Sequence, residues 1–309
     1  MTHSHKHERI VVVHNPNSTR ANKVHSGVFN RLDEHDISYV THATNYPDAE
    51  ANIADMQQTF RNGDTVLSVG GDGTAMQVAN GVLRNQHADT AIGVLGYGNF
   101  RDLGKEQDPL KLLDESARVA AVHPLTIEVN DTYLRDAPGY MSLGFTALIA
   151  SRFGTKSSRE RLKAMPGWTK LLASIGQVGI DYFALRNQKI PAFHTDLSPT
   201  VEHAATDLFA LNSPQAGSVI RSATDYGRES YFGFRTNNVS SVLPNIPFGI
   251  QALLGHAPAR TVEELTIHFE EPSTVPFQTE GEFVELTDVN KLFIYKDPAK
   301  TLRMLRSAT

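Results

Sequence analysis

Cysteine is absent from the 309 residues. That excludes disulfides and thiolate metal sites, and it fits a reducing, cytoplasmic setting. An excess of positive charge is missing too. The 29 Lys and Arg face 34 Asp and Glu, for a formal net charge of −5, which argues against nucleic acid as a partner. The opening residues, MTHSHKHERI, hold no apolar segment of the kind a signal peptide needs. Long apolar runs are scarce. Residues 236–259 lack Asp, Glu, Lys and Arg, yet Pro244, Asn245, Pro247 and Pro258 argue against a membrane-spanning helix. A buried or lipid-facing connection is expected there. The remainder is ordinary for a globular chain: 40% hydrophobic and 20% charged residues, at a length that suggests two domains. A homodimer is compatible with this composition.

The first part alternates strand and helix patterns. RIVVVH, ISYVTHA, DTVLSVG and TAIGVLG read as strands, and helical stretches cover about 20–35, 48–61, 74–85 and 108–120. This alternation predicts an α/β fold with a doubly wound parallel sheet over residues 9–122. Ligands of such sheets bind beyond the carboxyl ends of the strands, so loops 15–19, 70–74 and 96–104 are expected to converge. From Pro124 the texture changes. LTIEVND and TYLRDA suggest a hairpin around Asn130-Asp131, GYMSLGFTALIA a further strand, and residues 156–186 a helical insertion. TDLFALN, SYFGFRT, VEELTIHFE, PFQTEGEFVEL and KLFIYKD add more strands. A β-rich, sandwich-like domain is expected over 123–296, with a C-terminal helix in 297–309 packing back on the first domain.

The segment Gly70-Gly71-Asp72-Gly73-Thr74 breaks the pattern most sharply. Three glycines in four residues allow positive φ and close approach of a ligand. Ala75, Val78, Ala79, Val82 and Leu83 follow at helical spacing, with Thr74 as the expected N-cap. Free N–H groups at such a helix start favour an anion. Asp72 would repel a bare phosphate, so its presence implies a divalent cation between them. A plain tight turn is the other reading of the same residues.

These segments resemble the diacylglycerol kinase catalytic-domain family, which includes bacterial lipid kinases and sphingosine kinases. HNPNST is similar to the family's N-P-x-S-G at Asn15, Pro16 and Ser18 and departs from it at Thr19. GGDGT matches the family's nucleotide loop. GYGNFRDLG resembles G-T-x-N-D-F-A-R-x-L-G, anchored at Asn99. SLGFTALIA resembles G-x-G-F-D-A, and TEGEFVEL resembles D-G-E-x. The resemblance implies a kinase that uses ATP and Mg²⁺ and phosphorylates a lipid or long-chain alcohol hydroxyl. It implies that Asn15, Ser18, Thr19, Gly70, Gly71, Gly73, Thr74 and Asn99 hold the nucleotide. Asp72 would bind Mg²⁺ through water, with Asp102 and Glu280 as further metal candidates, and Glu282 would be the catalytic base. The alternation of an extended segment is expected to point Glu280 and Glu282 to opposite sides, with Phe283 opposite Glu282.

The chain departs from the family at several acids. The Asp of N-D is Phe100, with Asp102 two residues on; the Asp of G-F-D-A is Thr146; that of D-G-E is Glu280. The D-D-G segment that helps bind a structural Mg²⁺ in the family corresponds to Asp225-Tyr226-Gly227. Glu280 and Asp102 also suit plain exposed positions, and Glu282 a solvated hairpin. Residues 152–163 hold Arg152, Lys156, Arg159, Arg161 and Lys163 against Glu160, ahead of an apolar stretch with Trp168. That combination suits an anionic membrane surface, visited peripherally from the cytoplasm, as well as an ordinary amphipathic helix. The alternative to an enzyme of phospholipid metabolism is a nucleotide- or lipid-binding member of the same fold that has lost transfer. NAD kinase shares G-G-D-G, but its T-P-T-G-S-T-A-Y-like segment is missing. Residues 14–19 hold no glycine for a Rossmann fingerprint, and no G-x-x-x-x-G-K-[ST] segment occurs.

Overall fold

A computed structural model of the chain describes residues 9–16, 21–45, 48–97, 102–154, 184–185, 187–216, 220–238 and 259–308. It divides into two compact units, one of residues 1–124 with 297–309, the other of residues 125–296.

The first unit is built on β1 (Ile10–His14), helical turns α1 (Ala21–Val24) and α2 (Asn30–Asp33) joined by a π-helical turn (His25–Phe29), β2 (Val40–Ala43), α3 (Ala49–Thr59), β3 (Thr65–Gly70), α4 (Asp72–Arg84), β4 (Ala91–Gly96), α5 (Pro109–Leu113) and β5 (Arg118–Val122). The strand order is β2-β1-β3-β4, then the chain's final strand, Leu302–Arg306, then β5. Alternation along each strand feeds two cores. Val11, Val13, Val66 and Ile92 pack with Met56 of α3 and Val78 of α4. Ile10, Val12, Leu67 and Leu95 pack on the other face with Val24, Leu32 and Leu112 of α1, α2 and α5. Helices on both faces make the sheet doubly wound. Caps set the helix starts: Asp48 accepts the Ala51 N–H at 2.9 Å, and Asp108, followed by Pro109, accepts the Leu110 N–H at 3.1 Å.

Two expected helices are corrected. The C-terminal segment is a strand, parallel to β4 and antiparallel to β5. Leu302 and Met304 enter one core and Leu305 the other, a period of two that outweighs the helix propensity of its Leu, Arg and Met residues. The helix expected over 108–120 stops at Leu113. Asp114 takes the Ser116 N–H at 2.8 Å in a turn, and RVAAV then pairs with the final strand as β5.

The second unit comprises β6 (Leu125–Val129), β7 (Thr132–Ala137), β8 (Tyr140–Gly144), α6 (Phe145–Gly154), β9 (Phe193–Thr195), β10 (Ser198–Glu202), β11 (Asp207–Leu211), a small pair β12 (Gln215–Ala216) and β13 (Ile220–Arg221), β14 (Phe232–Asn237), β15 (Arg260–Val262), β16 (Glu264–Thr279) and β17 (Glu282–Tyr295). Among the described residues one large sheet runs β15-β14-β11-β8-β16-β17-β6-β7, with β9 and β10 attached to β16. Its strand pairs are antiparallel. Leu143, Leu208, Phe232, Phe277 and Ile294 lie in one continuous core. Asn130 and Asp131 both have positive φ, which makes the expected hairpin a type I′ turn. The strand expected over residues 139–150 is corrected: it ends at Gly144, at φ +78°, and the chain turns into α6. The insertion expected over 156–186 and the charge-free stretch after Asn238 lie almost wholly outside the described residues.

Candidate functional site

In the first unit β1 and β3 are neighbours, yet their onward connections leave in opposite directions, to β2 and to β4. This is the topological switch point of a doubly wound sheet, where ligands bind. Asn15 follows β1 and the glycine segment follows β3, so both flank it. Ser18, Thr19, Asn99 and Phe100 lie outside the described residues.

Helix α4 starts one turn earlier than expected. Its N-cap is Gly71 and its first residue is Asp72, so Thr74 is no cap but a buried residue of the first turn. Gly70, Gly71 and Gly73 have no positive φ. At Gly70 the requirement is space: a Cβ there would come within 2.6 Å of Thr74 Oγ1. Asp72 is buried, at 8% exposure, and its Oδ1 accepts the Leu103 N–H at 3.0 Å. Leu103 O in turn accepts from Arg306 Nη1 at 3.0 Å. The loop after β4 is therefore fastened to the start of α4 on one side and to the final strand on the other. Asp102, half-buried, is brought next to this joint. Tyr97, where the resembled family has the Thr of its Gly-Thr, donates its N–H to Gly70 O at 2.9 Å and its hydroxyl to Gln107 O at 3.0 Å. His14 stands just before Asn15, and burial, with His42 nearby, lowers its pKa.

In the second unit Thr279 and Glu282 pair across Glu280-Gly281, whose φ values are +50° and +81°. This is a two-residue type I′ hairpin, not an extended segment, so the expected alternation does not govern the pair. Strand pairing puts Glu282 on the face shared with Val284 and Leu286, which pack on the large core, while Phe283 shares its face with Glu285. Glu280 is the reverse of an exposed acid. It is 3% exposed, and its Oε1 accepts the N–H groups of Gly139 and Tyr140 at 2.5 and 2.7 Å. That oxygen is committed to the bend before β8, and the residue acts there as an internal cap.

Thr146 stands at the start of α6, where the resemblance has an acid. Its partner is Asp207 of β11, which accepts the Thr146 N–H at 2.9 Å and its hydroxyl at 2.8 Å. Asp207 faces Gly144 across the β11–β8 ladder. Burial pushes its carboxyl up to about 6, against the lowering effect of the bonds from Thr146 and the Leu208 N–H. Sequence reasoning missed it because its partner lies 61 residues away and no local pattern marks the pairing.

Comparison with known proteins bears on both units. Residues 9–122 match the model of the diacylglycerol kinase catalytic domain family. The matched region ends with β5, and the final strand, returning after the whole second unit, completes the sheet. The full chain also resembles solved structures. One is described as a diacylglycerol kinase from Bacillus anthracis str. Sterne, with a TM-score of 0.65 at 12% identity over 97% of each chain. A second chain from that organism, whose description also names a diacylglycerol kinase, has a TM-score of 0.64 at 14% identity, covering 96% of this chain and 97% of its own. At such identities the likeness shows the fold. No curated protein matches the chain. Among the described residues no helix is long and apolar enough to cross a membrane.

Proposed function

We propose that this chain is an ATP-dependent lipid kinase that transfers the γ-phosphoryl group to the hydroxyl of a lipid or long-chain alcohol. The observation that carries the reading is the Asp72–Leu103 joint at the switch point of a sheet matching the diacylglycerol kinase catalytic domain. It gathers a glycine loop, a helix start and two acids where a nucleotide would lie. In this reading Asn15, Gly70, Gly71, Gly73 and Thr74, with Ser18, Thr19 and Asn99, hold ATP. Asp72, aided by Asp102, holds Mg²⁺ through water, and Glu282 takes the acceptor's proton. Phosphoryl transfer needs this positioning, charge neutralisation and a base. Glu280 is proposed as a structural support, since its oxygen already binds two N–H groups. The basic segment with Arg159 and Arg161, which lies outside the described residues, would guide the protein to anionic membranes from the cytoplasm.

Labelled ATP, Mg²⁺ and a total lipid extract test the proposal, with Glu282→Ala alongside. Label should enter the lipid fraction with the native chain and not with the variant. ATP binding without transfer to any lipid would point instead to a binding protein of the same fold. That reading draws on the acid missing at Thr146.

A further inference from the structure

The resemblance brings a structural Mg²⁺ at the segment that corresponds here to Asp225-Tyr226-Gly227. The donor set does not fit one. The 3₁₀ turn Tyr226–Arg228 directs the carbonyl oxygens of Tyr226 and Glu229 at the ammonium of Lys296, which donates to both, to Glu229 at 2.8 Å. The acid of the segment, Asp225, faces Arg228, with Nε and Oδ2 3.4 Å apart. A divalent ion would be a third positive centre beside these two. Mg²⁺ also demands near-octahedral oxygen ligands, and among the described residues no three His, Asp or Glu side chains gather to hold a metal.

We propose that the Lys296 ammonium is the built-in cation of this turn, in place of a structural metal ion, and that it ties the turn before β14 to the end of β17. The chemistry suits the role. An ammonium has three N–H donors and no acceptor, and carbonyl oxygens are its natural partners. Lys296 is half-buried, and burial lowers its pKa to about 8 while the Asp225 and Glu229 carboxylates hold it up. It is therefore charged at neutral pH.

The placement gives the contact its consequence. Lys296 directly follows β17, and the turn directly precedes β14. In the sheet those two strands are separated by β11, β8 and β16. One side chain thus ties together strands that share no ladder. The turn is itself well seated. The Tyr226 ring packs with Tyr140, Phe209 and Leu211, and it lies so close over Gly233 that a Cβ there would come within 2.9 Å of it. Lys296 is also the last residue of the unit, so the tie pins the point where the chain leaves it.

This inference does not depend on the kinase reading, and thermal unfolding of the full chain without nucleotide tests it. In Asp72→Asn, which removes the Mg²⁺ candidate at the glycine segment, excess EDTA and added Mg²⁺ should both leave the melting temperature unchanged. Lys296→Met keeps the length of the apolar stem but loses the ammonium, with its charge and donors. It should melt about 2–8 °C lower, as the loss of one or two charge-assisted bonds implies for a domain of this size. In Lys296→Ala, ethylammonium should recover part of the loss, whereas tetramethylammonium, which has no N–H, should not. A fall on chelation that Mg²⁺ reverses would overturn the proposal, and so would a Lys296→Met variant that melts like the native chain. Should either Lys296 variant fail to fold, the chelation experiment on Asp72→Asn still decides.

Discussion

Asp72 Oδ1 receives the backbone N–H of Leu103 at 3.0 Å, so the acid in the glycine loop is a fastening before it is anything else. Fastening and charge can be separated. Asp72→Asn keeps a carbonyl oxygen for Leu103 and removes the negative charge, whereas Asp72→Ala removes both. The alanine variant is expected to lose about 1–3 kcal/mol, because a buried N–H is left unmatched, and to lose Mg²⁺-dependent ATP binding. The asparagine variant should melt close to the native chain and still lose the Mg²⁺ dependence. Calorimetric titration of ATP with and without Mg²⁺, beside melting curves, checks both. Native-like Mg²⁺-dependent binding by Asp72→Asn would remove the metal role.

Glu280 and Glu282 should part company by type of damage. Glu280 is buried and caps two N–H groups with one oxygen. Glu280→Gln weakens charge-assisted bonds to neutral ones and is expected to lower stability by about 1–3 kcal/mol. Glu282→Gln, at a less buried position, should leave the melting temperature near native. It should lower kcat by about 10²–10⁴-fold with ATP affinity nearly intact, the usual worth of a general base. Urea unfolding and steady-state kinetics on both variants separate the two roles. A loss of kcat in Glu280→Gln as large as in Glu282→Gln, without loss of stability, would make both residues part of one catalytic or metal site.

Membrane contact is tested by salt. Each basic residue near an anionic surface adds about 1 kcal/mol, which is screened beyond a Debye length. Vesicles with anionic lipid should therefore bind the protein less as salt rises, and reversal of Arg159 and Arg161 to Glu should weaken binding further. Equal binding to neutral and anionic vesicles would refute the electrostatic part.

The sequence was most legible where local chemistry decides the structure. A glycine segment after an apolar run marked the end of β3, and Asn130-Asp131 marked a hairpin, because turn residues act through their own backbone preferences. It was least legible where distant partners decide. Leu302–Arg306 is a strand because β4 and β5 leave a gap for it between them, and Lys and Arg flanking Leu and Met give no sign of that. TEGEFVEL alone suggests that Glu280 and Glu282 are alternate residues of a strand, since nothing in it says that the two φ values between Thr279 and Glu282 turn positive. Asp207 carried no signal at all. It sits in TDLFALN, a strand pattern, and acquires its role only through pairing with β8.

Asp207 also carries a prediction whose sign can be worked out. Its folded-state pKa is raised to about 6 from 3.8, with burial as the largest cause. The folded chain therefore holds this proton more tightly than the unfolded chain. The stability it contributes is fully present below about 3.8 and is lost as pH rises through about 6. A shift of this size corresponds to about 3 kcal/mol at most. Asp207→Asn abolishes the titration while keeping a pairing with Thr146: the amide oxygen can accept the Thr146 N–H, and the amide N–H can donate to the hydroxyl oxygen. Below pH 4 the two proteins should be of similar stability. Above pH 7 the variant should be the more stable, by an amount approaching the full shift. The difference between their urea-unfolding free energies, followed from pH 4 to 7.5, isolates this group because other titrations cancel. Parallel pH profiles would mean that Asp207 is not the buried, charge-burdened partner of Thr146 that its two hydrogen bonds indicate.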